Sequence, residues 1–379
     1  MKYDVISADG HVDLIWLPPD LFTRNASAAL KDRMPHVVEG EKGPEWVSAK
    51  GAKFGLVNGM GSAGREYVPG VIHRSDRMAT TGLYDDGRKG IRRLTDPALR
   101  LKDQDRDGVQ AEILYGILGS SGRLNDPEAG MEMLRIYNDW LHDFCKAAPD
   151  RLIGLAGIPN YNMEESVAEM KRNARRGVRG FDVANRPDMT PLWDPFWEPL
   201  WQCAHETGLP VHFHTIGGRS PDTSKMPEFV KRRVHAAHIT NFQMHMSYML
   251  ISTIFSGAPE RYPNLKVVIG EAGLGWIPYI LDHMDLEWED QFKDLDLRMK
   301  PSEYWYRQFY ATYQTDPVGI RLLDLLGEDN VMWGSDFPHP DGIWPDSQEF
   351  LDRELAGVSA EARRKITRDN ALKLYRLGN

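Results

Sequence analysis

The chain has 379 residues, 41% of them hydrophobic and 27% charged, with 46 Lys and Arg against 55 Asp and Glu for a formal net charge of -9. That mix excludes a disordered chain and leaves ample material for a core, while the acidic balance repels phosphate backbones and argues against nucleic acid as a partner. Two cysteines, Cys145 and Cys203, exclude a disulfide framework and a thiolate zinc site, and a reducing compartment is the default.

The first residues lack the basic-then-apolar pattern of a signal peptide. No apolar run reaches the ~18 residues of a membrane span. A cytoplasmic protein of enzyme size is the expectation.

No internal repeat of fixed period is present. Taken in chain order, strands are predicted at 3–8, 111–115, 153–158, 178–183, 211–215, 266–270, 309–312 and 331–334. Helical patterns fall between most of them, at 128–147, 163–176, 194–206 and 317–326. The last opens with Pro317 just after Asp316, a common helix start. Strands alternating with helices predict parallel pairing, and eight such units close an α/β (β/α)8 TIM barrel over residues 1–379.

Two segments break the alternation. Residues 18–97 separate the first two strands and are rich in glycine and charge. A connection this long is usually functional or mobile, so it is read as a lid insertion over the barrel mouth. Its glycine string, 59–64, lacks the Gly-Lys-Ser/Thr signature of a phosphate loop and is expected to be a flexible part of that lid. Residues 227–256 are helical in pattern. As one helix they would span ~45 Å, so their first half is expected to project above the mouth. Residues 361–377 form a closing amphipathic helix.

Chemistry in such a barrel gathers at the C-terminal strand ends. The first strand ends in Asp9-Gly10-His11, two residues of one face because strand side chains alternate. The fifth ends in His212-Phe213-His214, the sixth in Gly270-Glu271, and the eighth in Gly334-Ser335-Asp336-Phe337-Pro338-His339. Each alone is consistent with turn chemistry or a satisfied core histidine. Together, carboxylates and imidazoles aimed into one apolar mouth need a neutralising charge. A divalent cation held by Asp9, His11, His214, Glu271 and Asp336 supplies it.

The oxygen-rich set suits Zn, Mn or Fe. One ion against three carboxylates leaves a local charge of about -1 and two ions about +1, so one or two ions are expected. His212, His238, His245 and His339 are the candidates for a second ion or for substrate. His238 and His245 are seven apart and share a helix face. His212 also fits a layer of the barrel interior, and His235 and His238 a surface or lid position. Trp276 and Trp344, after ligand-bearing strands, are candidates to line the pocket. Arg65, Arg74 and Arg77 of the insertion are candidates for a substrate carboxylate.

These pieces resemble the amidohydrolase superfamily, in its amidohydrolase-related branch with aminocarboxymuconate semialdehyde decarboxylase and γ-resorcylate decarboxylase. The resemblance rests on Ala8-Asp9-Gly10-His11, Leu209-Pro210-Val211-His212-Phe213-His214, Gly270-Glu271-Ala272-Gly273-Leu274-Gly275-Trp276 and Gly334-Ser335-Asp336-Phe337-Pro338-His339. It is supported by Gln104-Asp105-Arg106-Asp107-Gly108 and Asn370-Ala371-Leu372-Lys373-Leu374-Tyr375. It implies a metal held from strands one, five and eight, with His11, His214 and Asp336 at the matching positions. Asp9 departs from the branch's usual His or Glu, and Glu271 from a strand-six His.

The first expectation is a metal-dependent hydrolase acting on a small organic substrate through a metal-activated water. Asp336 would serve as general base, with Glu271 or His339 relaying the proton. A non-oxidative decarboxylase of the same branch, a non-haem iron or di-iron monooxygenase, and a non-catalytic metal-binding scaffold stay open beside it. A homodimer is the base-rate expectation.

Overall fold

The computed structural model describes residues 2–117, 119–186, 189–215 and 222–378. Eight parallel strands form its centre. They are β1 (Ile6–His11), β2 (Ala111–Tyr115), β3 in two pieces (Leu152–Gly154 and Ala156–Ile158), β4 (Phe181–Val183), β5 (Val211–His214), β6 (Val267–Gly270), β7 (Phe309–Tyr313) and β8 (Val331–Trp333). Registers run Ile6 to Ala111, Glu112 to Leu152, Ala156 to Phe181, Phe181 to Val211, Val211 to Val267, Val267 to Phe309 and Ala311 to Val331.

β3 passes its pairing from one neighbour to the other at Leu155. The Leu155 N–H donates to Leu114 O, and the next N–H, from Ala156, donates to Gly180 O. The circle closes between β8 and β1, where Gly10 bridges Phe337 and the Asp336 N–H donates to Asp9 O at 2.9 Å. The fold is therefore a TIM-barrel-like α/β fold, with the eight strands in the expected order.

The helices expected at 128–147 and 163–176 form there, because polar caps start them. Asp126 accepts from the Ala129 N–H ahead of Pro127–Cys145, and Asn162 accepts from Glu165 ahead of Met163–Arg175. Ile6, Ala8, Ala111, Ile113, Val268 and Met332 fill the barrel. Their strand neighbours Val211, Phe213, Val267 and Ile269 pack outward with Trp197 and Trp201, an alternation set by the strand period of two.

Four expectations are corrected. β1 starts at Ile6 and runs through Asp9 and His11, because pairing with β2 carries the strand past the end of its apolar run. Residues 227–256 form two helices, Glu228–Asn241 and Met246–Phe255, parted by a tight turn at Gln243–His245. The first buries no side chain, while the second buries Met246, Met249, Leu250 and Ile254. The break falls where the pattern changes from polar to apolar.

Residues 317–326 likewise divide into Pro317–Arg321 and Leu323–Leu326. The glycine string is packed rather than loose. Gly61 has φ 58°, and a Cβ there would lie 2.6 Å from Pro340 Cδ in the loop after β8.

The long segment after β1 has structure of its own. It holds an antiparallel sheet of His36–Gly40, Gly43–Val47 and Lys53–Leu56, with short helices His73–Ala79 and Leu83–Arg88. Phe22, Met34, Trp46 and Met78 pack it onto Met133 and Tyr137 of the helix after β2. Among the described residues no helix is long and apolar enough to cross a membrane.

Candidate metal centre

β1 carries the first two site residues. Its register shifts between Ser7 and Gly10, and the shift aims both Asp9 and His11 at the barrel axis. Gly334 lets β8 approach β1 closely: a Cβ there would sit 2.3 Å from Asp9 Cβ. β8 thereby delivers Asp336 beside Asp9, while β5 delivers His214 and β6 delivers Glu271.

The resulting contacts are short. His11 Nε2 lies 3.2 Å from Asp9 Oδ1 and 3.1 Å from Asp336 Oδ1. His214 Nε2 lies 3.2 Å from Asp9 Oδ1 and 3.8 Å from Glu271 Oε2. His339 Nδ1 lies 2.8 Å from Asp336 Oδ1, and its Nε2 lies 3.4 Å from Asp13. All of these residues are buried.

Two strand-end carboxylates sit on left-handed backbone, Glu271 at φ 47° and Asp336 at φ 58°. Non-glycine residues rarely adopt it, and it concentrates at functional sites. Asp9 Oδ2 is held by the Thr312 hydroxyl at 2.7 Å and by the Glu271 N–H at 3.0 Å. That same N–H also reaches Thr312 Oγ1 at 2.7 Å.

A cation fits this arrangement. His11 Nε2 is buried and close to two carboxylates, yet neither contact has hydrogen-bond geometry. Asp336 Oδ2 and Asp13 Oδ2 are also buried without a hydrogen-bond partner among the described residues. Asp9, His11 and His214 bring one donor atom each within 4.8 Å of one another, as do His11, Asp336 and His339, and also Glu271, Asp336 and Asp341. Metal–donor bonds of roughly 2.1 Å place neighbouring ligands about 3 Å apart, which is the spacing around His11 Nε2.

Electrostatics follow from burial and crowding. Burial works to raise the Asp9 carboxyl, but the His214 and His11 imidazoles overcome it and hold Asp9 well below the usual carboxylate range. Asp336 is likewise lowered to about 2 against burial, by His339 and His11. Glu271 moves the other way, raised well above its ordinary value by burial and by the charges of Asp336 and Asp341. His339 is raised well above its ordinary value despite burial, because Asp336 and Asp13 flank it.

The structure thus brings together Asp9, His11, His214, Glu271, Asp336 and His339. The three other candidate histidines stand apart. His212 is corrected to a barrel-interior residue, with Nδ1 at 3.0 Å from Phe181 O and Nε2 at 2.9 Å from Tyr375 Oη. Burial lowers it to about 3, so it is a neutral imidazole. His238 and His245 face each other on the projecting helix and its turn, ring centroids 6.2 Å apart, outside the three donor groups. The expected shared helix face is corrected: His238 lies on the helix Glu228–Asn241 and His245 in the separate turn Gln243–His245.

Asp13, Thr312 and Asp341 went unnoticed in the sequence. Asp13 continues the alternation of Asp9 and His11, a signal that was present. Asp341 follows His339 by two in the β8 loop. Thr312 carries no charge, and only its place at the end of β7 marks it.

Above the cluster lies a cavity of about 620 Å³, within the range of small-molecule sites. Asp13, Glu271, His339 and Asp341 reach it beside Leu14, Ile15, Ile117, Ile239 and Phe242, with Arg65, Arg123 and Arg186 also on its wall. The segment after β1 contributes Phe54, Met60, Gly61, Ser62, Ala63 and Arg65. Of the expected arginines only Arg65 lines it. Arg77 pairs with Asp346, and Arg74 donates to the Asp341 carbonyl. Trp276 and Trp344 pack elsewhere, their indole N–H groups donating to Ala272 O and Asp103 O.

The family model described as amidohydrolase matches residues 92–377. Among curated proteins, the chain is 24% identical over 287 residues to 2-amino-3-carboxymuconate-6-semialdehyde decarboxylase of Dictyostelium discoideum, covering 74% of this chain and 77% of that one. It is 25% identical over 330 residues to gamma-resorcylate decarboxylase of Rhodococcus jostii, covering 82% and 96%. Among solved structures, an amidohydrolase from Mycobacterium avium subsp. paratuberculosis superposes with TM-score 0.76 at 21% identity over 99% of this chain and 98% of that one. A dihydroxybenzoic acid decarboxylase from Polaromonas, solved with bound manganese, superposes with TM-score 0.63 at 21% identity over 80% and 93%.

Proposed function

We propose, from the premise that this chain belongs to the amidohydrolase family, that it is a metal-dependent decarboxylase of a small organic acid. The observation that carries the reaction is the naming of its curated relatives as decarboxylases over 74% to 82% of this chain and 77% to 96% of theirs. This favours the decarboxylase alternative over the hydrolase first expected.

Asp9, His11, His214 and Asp336 would hold the ion, and manganese is the metal suggested by the related structure. When bound, the ion supplies positive charge against which a carboxylate and a neighbouring oxygen can be oriented. The protein's own residues do the rest. Asp9 is fixed by Thr312, and His11 and His214 converge on it. His339 faces the cavity with both ring nitrogens directed at carboxylates, Asp336 and Asp13. That geometry keeps the ring doubly protonated, and His339 would be the proton donor to an acid bound in the cavity. Arg65, Arg123 and Arg186 on the wall suit an acidic substrate, and the apolar side chains shield it from water. Residues 18–97 act as the lid of this cavity, and the substrate is a small molecule rather than a macromolecule.

Hydrolysis is the second reading, favoured by Glu271 in place of the strand-six His of the resembling decarboxylases. The experiment is product analysis of the manganese-loaded protein against a panel of hydroxybenzoic and unsaturated dicarboxylic acids, alongside esters and amides. Carbon dioxide released in step with acid consumption is the expected result. Turnover of esters or amides with no acid in the panel releasing carbon dioxide overturns decarboxylation in favour of hydrolysis.

A further inference from the structure

We infer that a small aromatic carboxylate binds in a second cavity, at the end of the barrel opposite the metal centre. The inference rests neither on the metal nor on the decarboxylase reading. The cavity, of about 250 Å³, lies between the helices Pro127–Cys145 and Met163–Arg175. Leu152, Ile153 and Gly154 in its wall are the first residues of β3, and Val178 and Arg179 stand just ahead of β4. These are the N-terminal strand ends, whereas the metal centre is built on the C-terminal ones. Leu141, Leu152 and Ile153 give the cavity a buried apolar floor. Cys145 joins it as a neutral thiol, because burial pushes it up to about 12.

The rim selects the charge of the ligand. His142, Lys146, Arg176 and Arg179 line the cavity, and no Asp or Glu does so among the described residues, in a chain whose net charge is -9. Basic residues suit helix C-termini, and Lys146 and Arg176 are answered by Asp143, at 3.2 Å, and by Asp139. Arg179 belongs to neither helix and has no hydrogen bond or ion pair among the described residues. Burial and the charges of Arg176 and Lys146 hold His142 below its ordinary value, a sign of crowded positive charge. A carboxylate at the rim answers Arg179 and relieves that crowding. The floor selects the rest. An apolar cavity of ~150 Å³ takes benzene, so this one has room for a single ring and its carboxylate. Inorganic phosphate would leave the apolar floor uncovered, and a neutral hydrocarbon would leave the rim unanswered.

The probe is 4-azidobenzoate, photolysed on the metal-loaded full chain, with the adducts mapped by peptide mass spectrometry. Mapping separates this cavity from the one above the metal centre, where an acid can also bind. Wild type is compared with Arg179→Glu, alone and combined with Lys146→Glu. Both side chains are exposed, so the variants keep the fold, which circular dichroism checks. The expected result is adducts within residues 138–156 and 173–179 that excess benzoate suppresses. The half-saturating concentration for those adducts should rise about three- to tenfold in Arg179→Glu and further in the double variant. 4-Azidotoluene, which keeps the ring and lacks the charge, should label these segments less. Adducts confined to the walls of the cavity above the metal centre, or none in these two segments, overturn the site. Undiminished labelling in the double variant, or equal labelling by 4-azidotoluene, overturns recognition of a carboxylate there.

Discussion

Replacing Thr312 with valine tests how the centre is held. Thr312 is fully buried, and valine matches its shape. The hydroxyl donates to Asp9 Oδ2 at 2.7 Å and accepts the Glu271 N–H at 2.7 Å. After the change Asp9 keeps only the Glu271 N–H at 3.0 Å on that oxygen. A hydrogen bond to a charged group contributes about 1.5–3 kcal/mol, and at ~1.4 kcal/mol per tenfold that predicts a loss of metal affinity of roughly 10- to 100-fold. Outer partners of metal ligands lose affinity over the same range when removed, about 10–100-fold. Thr312 touches neither ion nor substrate in this account, so it is a positioning residue. The assay is competition for Mn²⁺ against a chelator of known affinity, with the Tm shift on adding metal as a second readout. Thr312→Ser, which restores the hydroxyl, should recover most of the affinity. Wild-type affinity in Thr312→Val would refute the assignment of Asp9 as a ligand oriented by this contact. Equal losses in the valine and serine variants would reduce the effect to packing.

His212→Phe should lower Tm without changing metal content. Phe181 O and the Tyr375 hydroxyl each lose a buried partner, at about 1–3 kcal/mol apiece. Metal loss from a folded His212→Phe chain would return His212 to the ligand set. Asp107 predicts a pH effect far from the site. Burial raises its carboxyl to about 7, while it accepts the Ser347 N–H and hydroxyl. Its folded pKa lies above its unfolded value of ~3.9, so the folded state holds the proton more tightly between the two. Stability therefore falls as pH rises from ~4 to ~7 and is flat above, by up to about 4 kcal/mol at ~1.4 kcal/mol per pKa unit. Asp107→Asn should flatten that slope in chemical denaturation, and an unchanged slope would contradict the buried, protonated Asp107.

Much of this was legible because strands enforce a period of two. Asp9 and His11 share a face by spacing alone, and the barrel's closure only had to bring β8 and β5 alongside. The eight strands could be read because each is a short apolar run bounded by turn residues. What could not be read was set by tertiary contact. Phe213, His212 and His214 follow one another in β5, and nothing in their order says that His212 points to Tyr375 near the far end of the chain while His214 points to Asp9. Both belong to one face of a flat strand, and the barrel's depth separates their fates. The segment after β1 was harder still. Its strands, such as Gly43–Val47, contain Gly and Pro and little alternation, and they form because Trp46 and Phe54 have a helix surface to cover.

The backbone at Glu271 ties these threads together. A glutamate gains nothing locally from φ 47°, and such a position costs about 1–3 kcal/mol. A glycine would adopt it freely, so the side chain must be what the position requires. The left-handed turn sends the Glu271 N–H inward, to Asp9 Oδ2 and Thr312 Oγ1. It also leaves the carboxylate facing the cavity, 3.8 Å from His214. One residue thus fixes Asp9 through its main chain and adds charge to the cavity floor through its side chain. Asp336 does the same on the opposite side at φ 58°, its N–H donating to Asp9 O and its carboxylate meeting His11 and His339. The two strained turns grip Asp9 from β6 and β8 while adding two carboxylates to the cluster around it. The repulsion this creates destabilises the metal-free fold, so bound cation should stabilise the protein through the same residues that the backbone strain holds in place.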